Sequence, residues 1–395
     1  MDGAGRLGLG MLCFGVALFN ASCGAGSDGV TRSSHAGLAL VPLDSVLLAE
    51  ADTLYVGRPT RLIVDPLDGS FYVTDPFSRR VYRFARDGSP VRTYGRPGRG
   101  PGEFNSIFGV VVADDSTLAA PSVDPSAMHL FDRQTGELRS SFPLPPILLG
   151  TGQAAVAGDA VWLPARSFEQ NSSFLVWLRA RDSTRIMGSI PAEYERSREA
   201  RGVFHIVQGS STLAHAGHSV LVGWAGSDAV ERFDLSGRRI ERIEIPRVRR
   251  RGVPPYAQEW IDQGRRGPLR SFAETVELHS QMRQFALLSN GLFGFTHHDL
   301  RIIEDHGPSR ATIFGADLYV GVLSADLDSA CVDTLVPAGA DLDPRSAFLG
   351  DTLFVLDRRI VDDERVETRV LIYGLDTSTC DWLPTSRTKQ AASSG

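Results

Sequence analysis

Val81-Tyr82-Arg83-Phe84, followed by the turn Asp87-Gly88, is the first clear copy of a unit that recurs along this chain. A short strand ends on an aromatic residue or Leu, and an acidic turn follows. The unit returns as Met128-His129-Leu130-Phe131 before Asp132, Leu175-Val176-Trp177-Leu178 before Asp182, and Val230-Glu231-Arg232-Phe233 before Asp234. Fainter copies are Tyr319-Val320-Gly321-Val322-Leu323 before Asp326 and Val370-Leu371-Ile372-Tyr373 before Asp376. The anchors Phe84, Phe131, Leu178, Phe233, Leu323 and Tyr373 lie 47, 47, 55, 90 and 50 residues apart. A period of this length, with four short strands per unit, predicts an all-β fold, a six-bladed β-propeller over residues 39–384.

The strands of blade one fall near 61–65, 71–74, 80–84 and 91–94, each rich in β-branched or aromatic residues and bounded by Gly, Pro or Asp. The remaining blades occupy 109–142, 154–187, 212–245, 285–336 and 346–383. Segments 45–48 and 54–56 are extra strand candidates, suited to pairing with an exposed edge and latching the ring. A ring explains how 395 residues avoid splitting into several domains, because each blade packs mainly on its neighbours. The formal charge of −6 is too mild to imply a nucleic-acid partner.

The first repeat resembles the NHL family of six-bladed propellers. The matching residues are Phe71-Tyr72-Val73-Thr74-Asp75, Arg80-Val81-Tyr82-Arg83-Phe84, Asp87-Gly88 and Val91-Arg92-Thr93-Tyr94-Gly95. They continue through Gly98-Arg99-Gly100-Pro101-Gly102-Glu103-Phe104 to Gly109-Val110-Val111-Val112. The departure is Pro76-Phe77-Ser78-Arg79, where the family often has an Asn-containing turn. The resemblance covers about fifty residues, and it implies an exported bacterial propeller of a group whose members mostly lack an assigned activity.

Residues 1–22 read as a signal peptide, with Arg6 ahead of an apolar stretch from Leu7 to Phe19. Asn20-Ala21-Ser22-Cys23 resembles a bacterial lipobox, which implies lipidation of Cys23; Asn20 stands where an aliphatic residue is usual. The expectation is a lipoprotein of the cell envelope, periplasmic or outer-membrane, that reaches the membrane only through its lipid anchor. Plain secretion is the alternative. Residues 23–38 read as a flexible tether and 385–395 as a disordered tail. Cys331 and Cys380 are either a disulfide or two half-buried thiols, and no CxxC spacing supports zinc. The only lysine is Lys389, against 40 arginines, which excludes Schiff-base and P-loop chemistry inside the ring.

The 90-residue gap between Phe233 and Leu323 marks an insertion at 246–284, between blades four and five. Segments 256–263 and 268–281 have helical character, so a short helical lid is expected over one face. From 238 to 270 ten arginines face four acids, and this reads either as an arginine-lined funnel for anions or as a basic loop packed on acidic blades.

The lid face is expected to gather Asp75, Arg80, Arg99, Arg166, Trp224, His297, His298, Asp357 and Arg358 as ligand-binding candidates. Adjacent histidines on a strand point to opposite faces, so only one of His297 and His298 is expected to enter the channel. The leading expectation is a non-catalytic binding or scaffold module for a protein, a peptide or an anionic small molecule, without cofactor. The runner-up is a metal-dependent hydrolase or lyase in the central channel, with a divalent metal on His218, His297 and His298.

Overall fold

The computed structural model describes residues 36–50, 56–57, 59–107, 109–149, 152–167, 171–191, 211–252, 280–304, 313–338, 342, 344–361 and 365–389. Six antiparallel sheets of four or five strands succeed one another, one for each predicted blade. Blade one is Arg61–Val64, Phe71–Asp75, Arg80–Phe84 and Pro90–Tyr94, paired in that order. A two-stranded ladder, Arg96–Pro97 with Glu103–Phe104, bridges blades one and two.

The acidic turn that marks each repeat has a local cause. In the turn after the third strand of five blades the carboxylate accepts a backbone N–H two residues on, which closes the turn. Ser89 N donates to Asp87 Oδ1 at 2.9 Å, Gln134 N to Asp132 Oδ1 at 2.8 Å, and Ser236 N to Asp234 Oδ1 at 2.9 Å. Asp328 N donates to Asp326 Oδ1 at 3.2 Å and Ser378 N to Asp376 Oδ1 at 2.8 Å. The hydroxyls of Ser89, Ser236, Ser324 and Ser378, and for Asp132 the Thr135 N–H, together with these backbone bonds hold the carboxyls of Asp87, Asp234, Asp326, Asp376 and Asp132 below the usual carboxylate range.

The anchor residues before those turns pack between blades. Six apolar clusters lie one in each blade-to-blade interface, and the cluster joining Phe71 and Phe84 to Phe354, Leu356 and Val370 links blade six to blade one. The ring therefore closes. Phe84, Phe131, Phe233, Leu323 and Tyr373 each sit in the interface with the preceding blade. Blade three departs from the expected register: Trp177, not Leu178, packs toward blade two, with its ring 5.8 Å from Phe142.

The chain ends differ from expectation. The outermost strand of blade six is Ala39–Leu47, antiparallel to Arg365–Asp376, so the latch anticipated at 45–48 is a full nine-residue strand. It ends against blade one, where Ala49 N donates to Gly88 O at 2.9 Å. Gly88 has φ +85, and a Cβ there would meet Leu47 O at 2.0 Å, so the position requires glycine. Of the second latch candidate, 54–56, only Val56 is described.

The segment expected as blade six's fourth strand instead leaves that blade. Leu383–Pro384 pairs with blade five and Ser386–Lys389 with blade four, each as a fifth strand. Residues 386–389 are thus a strand rather than the start of a disordered tail, because the outer edge of blade four offers them backbone partners. Cys380 lies on this strap and forms a disulfide with Cys331 of blade five, Cα atoms 5.7 Å apart. Strap geometry brings them together, since Cys380 is on no outer strand of blade six. Ala36 and Asp381 also pair: Ala36 N donates to Asp381 Oδ2 at 2.7 Å, and Asp381 N to Ala36 O at 2.8 Å.

The helical insertion is not supported. Blade five begins at Ser280, five residues before the expected start, so Ser280 and Gln281 lie in a strand, Ser280–Leu287, rather than in the second helix. The rest of the expected helices, the signal peptide and Cys23 lie outside the described residues. Among the described residues the only helical element is the turn Arg179–Arg181.

Candidate functional site

In each blade the first strand pairs with the second, so the start of the first and the end of the second share one rim, here the upper. The turn between them lies at the lower rim. Asp75 and Trp224 close second strands at the upper rim, Arg166 is the last residue but one of its own, and Asp299 faces Ser280, the start of blade five's first strand. His218 lies in the turn between Ser211–Ala216 and Ser219–Trp224, at the lower rim. His297 faces Met282 in register, well above the turn pair Leu287 and Phe293. The chain does not bring His218 to His297 and His298. Among the described residues no group of three His, Cys, Asp or Glu side chains is placed to hold a metal.

Most upper-rim candidates are committed to the fold. Asp75 is fully buried and accepts from Gly57 N and Phe77 N, both at 2.9 Å. Arg358 holds the same segment, donating to Gly57 O at 2.9 Å and Val56 O at 3.3 Å. Asp357 accepts from Arg359 Nε at 2.8 Å. Arg80 faces Asp75 across the turn, and Arg166 is buried opposite Leu148. Exposed Arg99 pairs with Asp124 at 2.5 Å, and Trp224 packs in the interface of blades three and four.

His297 and His298 point to opposite sides of blade five, and both are buried. The His297 ring stands edge-on to Phe295, centroids 5.6 Å apart. Burial, with Arg250 and His298 nearby, pushes its pKa well below 6.5. A histidine depressed in the fold contributes stability that is present above its unfolded pKa and lost as pH falls through and below about 6.5. His297→Gln should therefore flatten the fall of Tm between pH 7 and pH 5. Parallel Tm–pH curves for the two proteins would contradict this.

The base of the insertion is a clamp. Gly252 N donates to Ser280 Oγ at 2.7 Å and Ser280 N to Gly252 O at 3.0 Å, so entry and exit meet. Asp333 Oδ2 accepts from Val248 N at 2.6 Å and Arg249 N at 2.8 Å. The Arg250 side chain is wholly buried between Asp333, at 2.5 Å, and Asp228, at 3.0 Å. Arg251 N donates to Asp299 Oδ2 at 2.7 Å, and Arg247 reaches Asp228. Arg247 and Arg250 thus pair with acids of blades four and five, while Arg251 is held through its backbone N–H and by donation from its side chain to Leu300 O.

Sequence reasoning placed only the alternative metal site in the central channel and did not anticipate a cavity lined by first strands there. The first strands of all six blades line a cavity of 430 Å³, bordered by residues such as Val64, Val110, Leu213, Phe285 and Phe348, whose side chains are themselves packed between blades. At its lower mouth Leu67, Val156 and Leu287 are 50%, 44% and 44% exposed. Upward it narrows to a 30 Å³ space lined by Arg61, Gln153 and Gln284. Two hydrogen bonds span this end between alternate blades: Arg61 Nη1 donates to Gly152 O at 2.7 Å, and Gln153 N to Gln284 Oε1 at 3.0 Å.

Arg61 is only 6% exposed. Burial, together with the positive charges of Arg283 and Arg345, lowers its pKa to about 9. Each of the three belongs to a first strand: Arg61 and Arg345 open theirs, and Arg283 is the extra residue of a β-bulge between Met282 and Gln284. A strand headed by arginine (Arg61-Leu62-Ile63-Val64) was the available signal, but no periodicity says that its head points inward.

No family model matches the chain, and no curated protein matches it. Solved structures do. A member of the DUF4221 family from Bacteroides vulgatus is 10% identical, covering 90% of this chain and 100% of that one, with a TM-score of 0.55. A candidate exported protein from Bacteroides fragilis is 11% identical, covering 85% of this chain and 94% of that one, with a TM-score of 0.51. At such identities the likeness carries the fold alone. The chain is a six-bladed β-propeller.

Proposed function

We propose that this protein is an exported binding module that takes a small anionic ligand into its central channel and does not transform it. The observation that carries this reading is a buried guanidinium, Arg61, at the narrow end of a 430 Å³ cavity. Small-molecule sites are concave, mostly apolar and roughly 300–1,000 Å³, with a few convergent polar groups.

Export, with lipidation at Cys23, is part of the proposal. It is supported by the apolar stretch from Leu7 to Phe19, by the Cys331–Cys380 disulfide and by the exported character ascribed to the B. fragilis protein. Disulfides persist in oxidising compartments. The NHL-type assignment rests on the first repeat.

Titration with anilinonaphthalene sulfonate, an aromatic anion that fluoresces in apolar surroundings, tests the channel. One site per chain is expected. Val156→Trp and Leu287→Trp, at exposed mouth positions, should each weaken it at least tenfold. Unchanged binding in both variants would place the anion elsewhere and sink the reading.

A further inference from the structure

We propose that His129 is a pH-sensitive pin, which holds the Gly98–Gly102 loop on blade two while its ring is neutral and releases that loop when the ring takes a proton. The loop joins blade one's last strand to blade two at the upper rim, so this device stands apart from the channel.

The hydrogen bonds around the ring allow it one neutral form. His129 lies on the third strand of blade two, Ser126–Asp132, and is 1% exposed. Gly102 N donates to its Nδ1 at 3.1 Å, and the Ser141 hydroxyl lies 3.0 Å from the same nitrogen. A backbone N–H can only donate, so Nδ1 carries no proton and the ring's hydrogen sits on Nε2. Ser122 Oγ accepts that hydrogen at 3.2 Å, because its own goes to Pro125 O at 2.6 Å. A second proton must therefore enter at Nδ1. There it would oppose the Gly102 N–H, and a buried bond would give way to two facing donors.

The loop is tied more firmly to itself than to the blade. Glu103 Oε2 accepts from Arg99 N at 3.1 Å and Gly100 N at 2.9 Å, and Oε1 from Arg96 Nε at 3.0 Å. Toward blade two the loop makes the buried Gly102–His129 bond and the Arg99–Asp124 pair, whose side chains are 71% and 43% exposed. Exposed pairs contribute little. Phe104, fully buried and edge-on to the His129 ring, anchors the chain just beyond.

The charged groups on the elements packed against the ring stay charged while it titrates. Asp124, on the strand Thr117–Asp124, is held below the usual carboxylate range by Asn105 and Arg99. Glu103 is held below it by the Gly100 N–H and by Arg96. Arg139, on the outer strand Leu138–Pro143, pairs with Asp132. Burial moves His129 itself below its ordinary value of 6.5, so the pin holds above that pH and lets go below it.

The test is amide hydrogen exchange on the purified full chain from about pH 7.5 to about pH 4.5, expressed as protection factors, beside an NMR titration of the isotope-labelled His129 ring. At the upper pH the ring should carry its hydrogen on Nε2. Protection at Gly102 should fall about tenfold or more, the loss expected for one buried hydrogen bond, with the midpoint of the ring's own titration. Arg99 and Gly100, held by Glu103, should keep theirs, as should Tyr72 and Val73 in blade one. In His129→Asn the side-chain oxygen can accept from Gly102 N–H and takes no proton, so protection should stay level throughout.

Protection at Gly102 that ignores pH, or a ring that carries its hydrogen on Nδ1 at the upper pH, would overturn the pin. So would a loss shared equally by blade one, which would mark general acid unfolding. Should His129→Asn fail to fold, the unsubstituted chain still decides: midpoints for ring and amide more than about one pH unit apart would sink the proposal.

Discussion

Arg250→Ala is expected to lower the free energy of unfolding by about 3–5 kcal/mol, the usual cost of removing one partner from a buried ion pair. The Arg250 side chain is fully buried and binds Asp333, itself 1% exposed, and Asp228. Without the guanidinium, Asp333 keeps the backbone N–H groups of Val248, Arg249 and residue 250, which places the loss toward the lower end of that range. The same side chain ties blade four to blade five, so the urea midpoint should fall together with amide-exchange protection at Val248 and Arg251. Arg250→Met combined with Asp333→Leu should recover most of the loss, because no charge is then stranded. A single-variant loss under about 1 kcal/mol would show that the pair behaves as an exposed one.

Opening the Cys331–Cys380 disulfide, by Cys380→Ser, is expected to cost about 2–4 kcal/mol. The bond closes a loop with a sequence separation of 49, long enough for its removal to enlarge the unfolded ensemble substantially. The loss should be uneven. Ser386–Lys389 and Leu383–Pro384 are edge additions with few pairs of their own, and they should lose exchange protection first. The ladder of blade one, which the strap never touches, should keep its protection. Equal loss in both places would mean that the bridge acts on the whole ring rather than on its outer edge.

The two experiments probe parts of the molecule that were unequally legible from sequence. The repeat was readable because its turn chemistry is local: an Asp that bonds the backbone two residues on leaves the same mark in most blades, whatever surrounds it. Blade three shows the limit, since Trp177 and Leu178 are adjacent and hydrophobic, and only the neighbouring blade decides which one turns inward. The strap was beyond reach for a different reason. Residues 386–389 are short and polar, and they are strand only because another blade's edge lies beside them.

The site expected from sequence and the proposed one lie at different places on the ring. Charged residues at strand ends drew attention to the upper rim, yet Asp75 and Arg358 spend their hydrogen bonds on loop backbone, and Arg250 is taken up by Asp228 and Asp333. The proposed site comes from first strands, whose valines and alanines look like plain core in sequence. That they enclose a space depends on how six blades are arranged about an axis, which no single segment encodes. Arg61, Arg283 and Arg345 are far apart in the chain and become neighbours only through that symmetry.

The strap has a mechanical consequence. Tension arriving along the residues ahead of Ala36 meets the reciprocal Ala36–Asp381 contact before it can begin to unzip Ala39–Leu47 from blade six. Asp381 cannot swing away with the pull, because its neighbour Cys380 is covalently fastened to blade five. A ring pulled at Ala36 would thus take up strain on its outer circumference, and the bore at its centre would keep its shape.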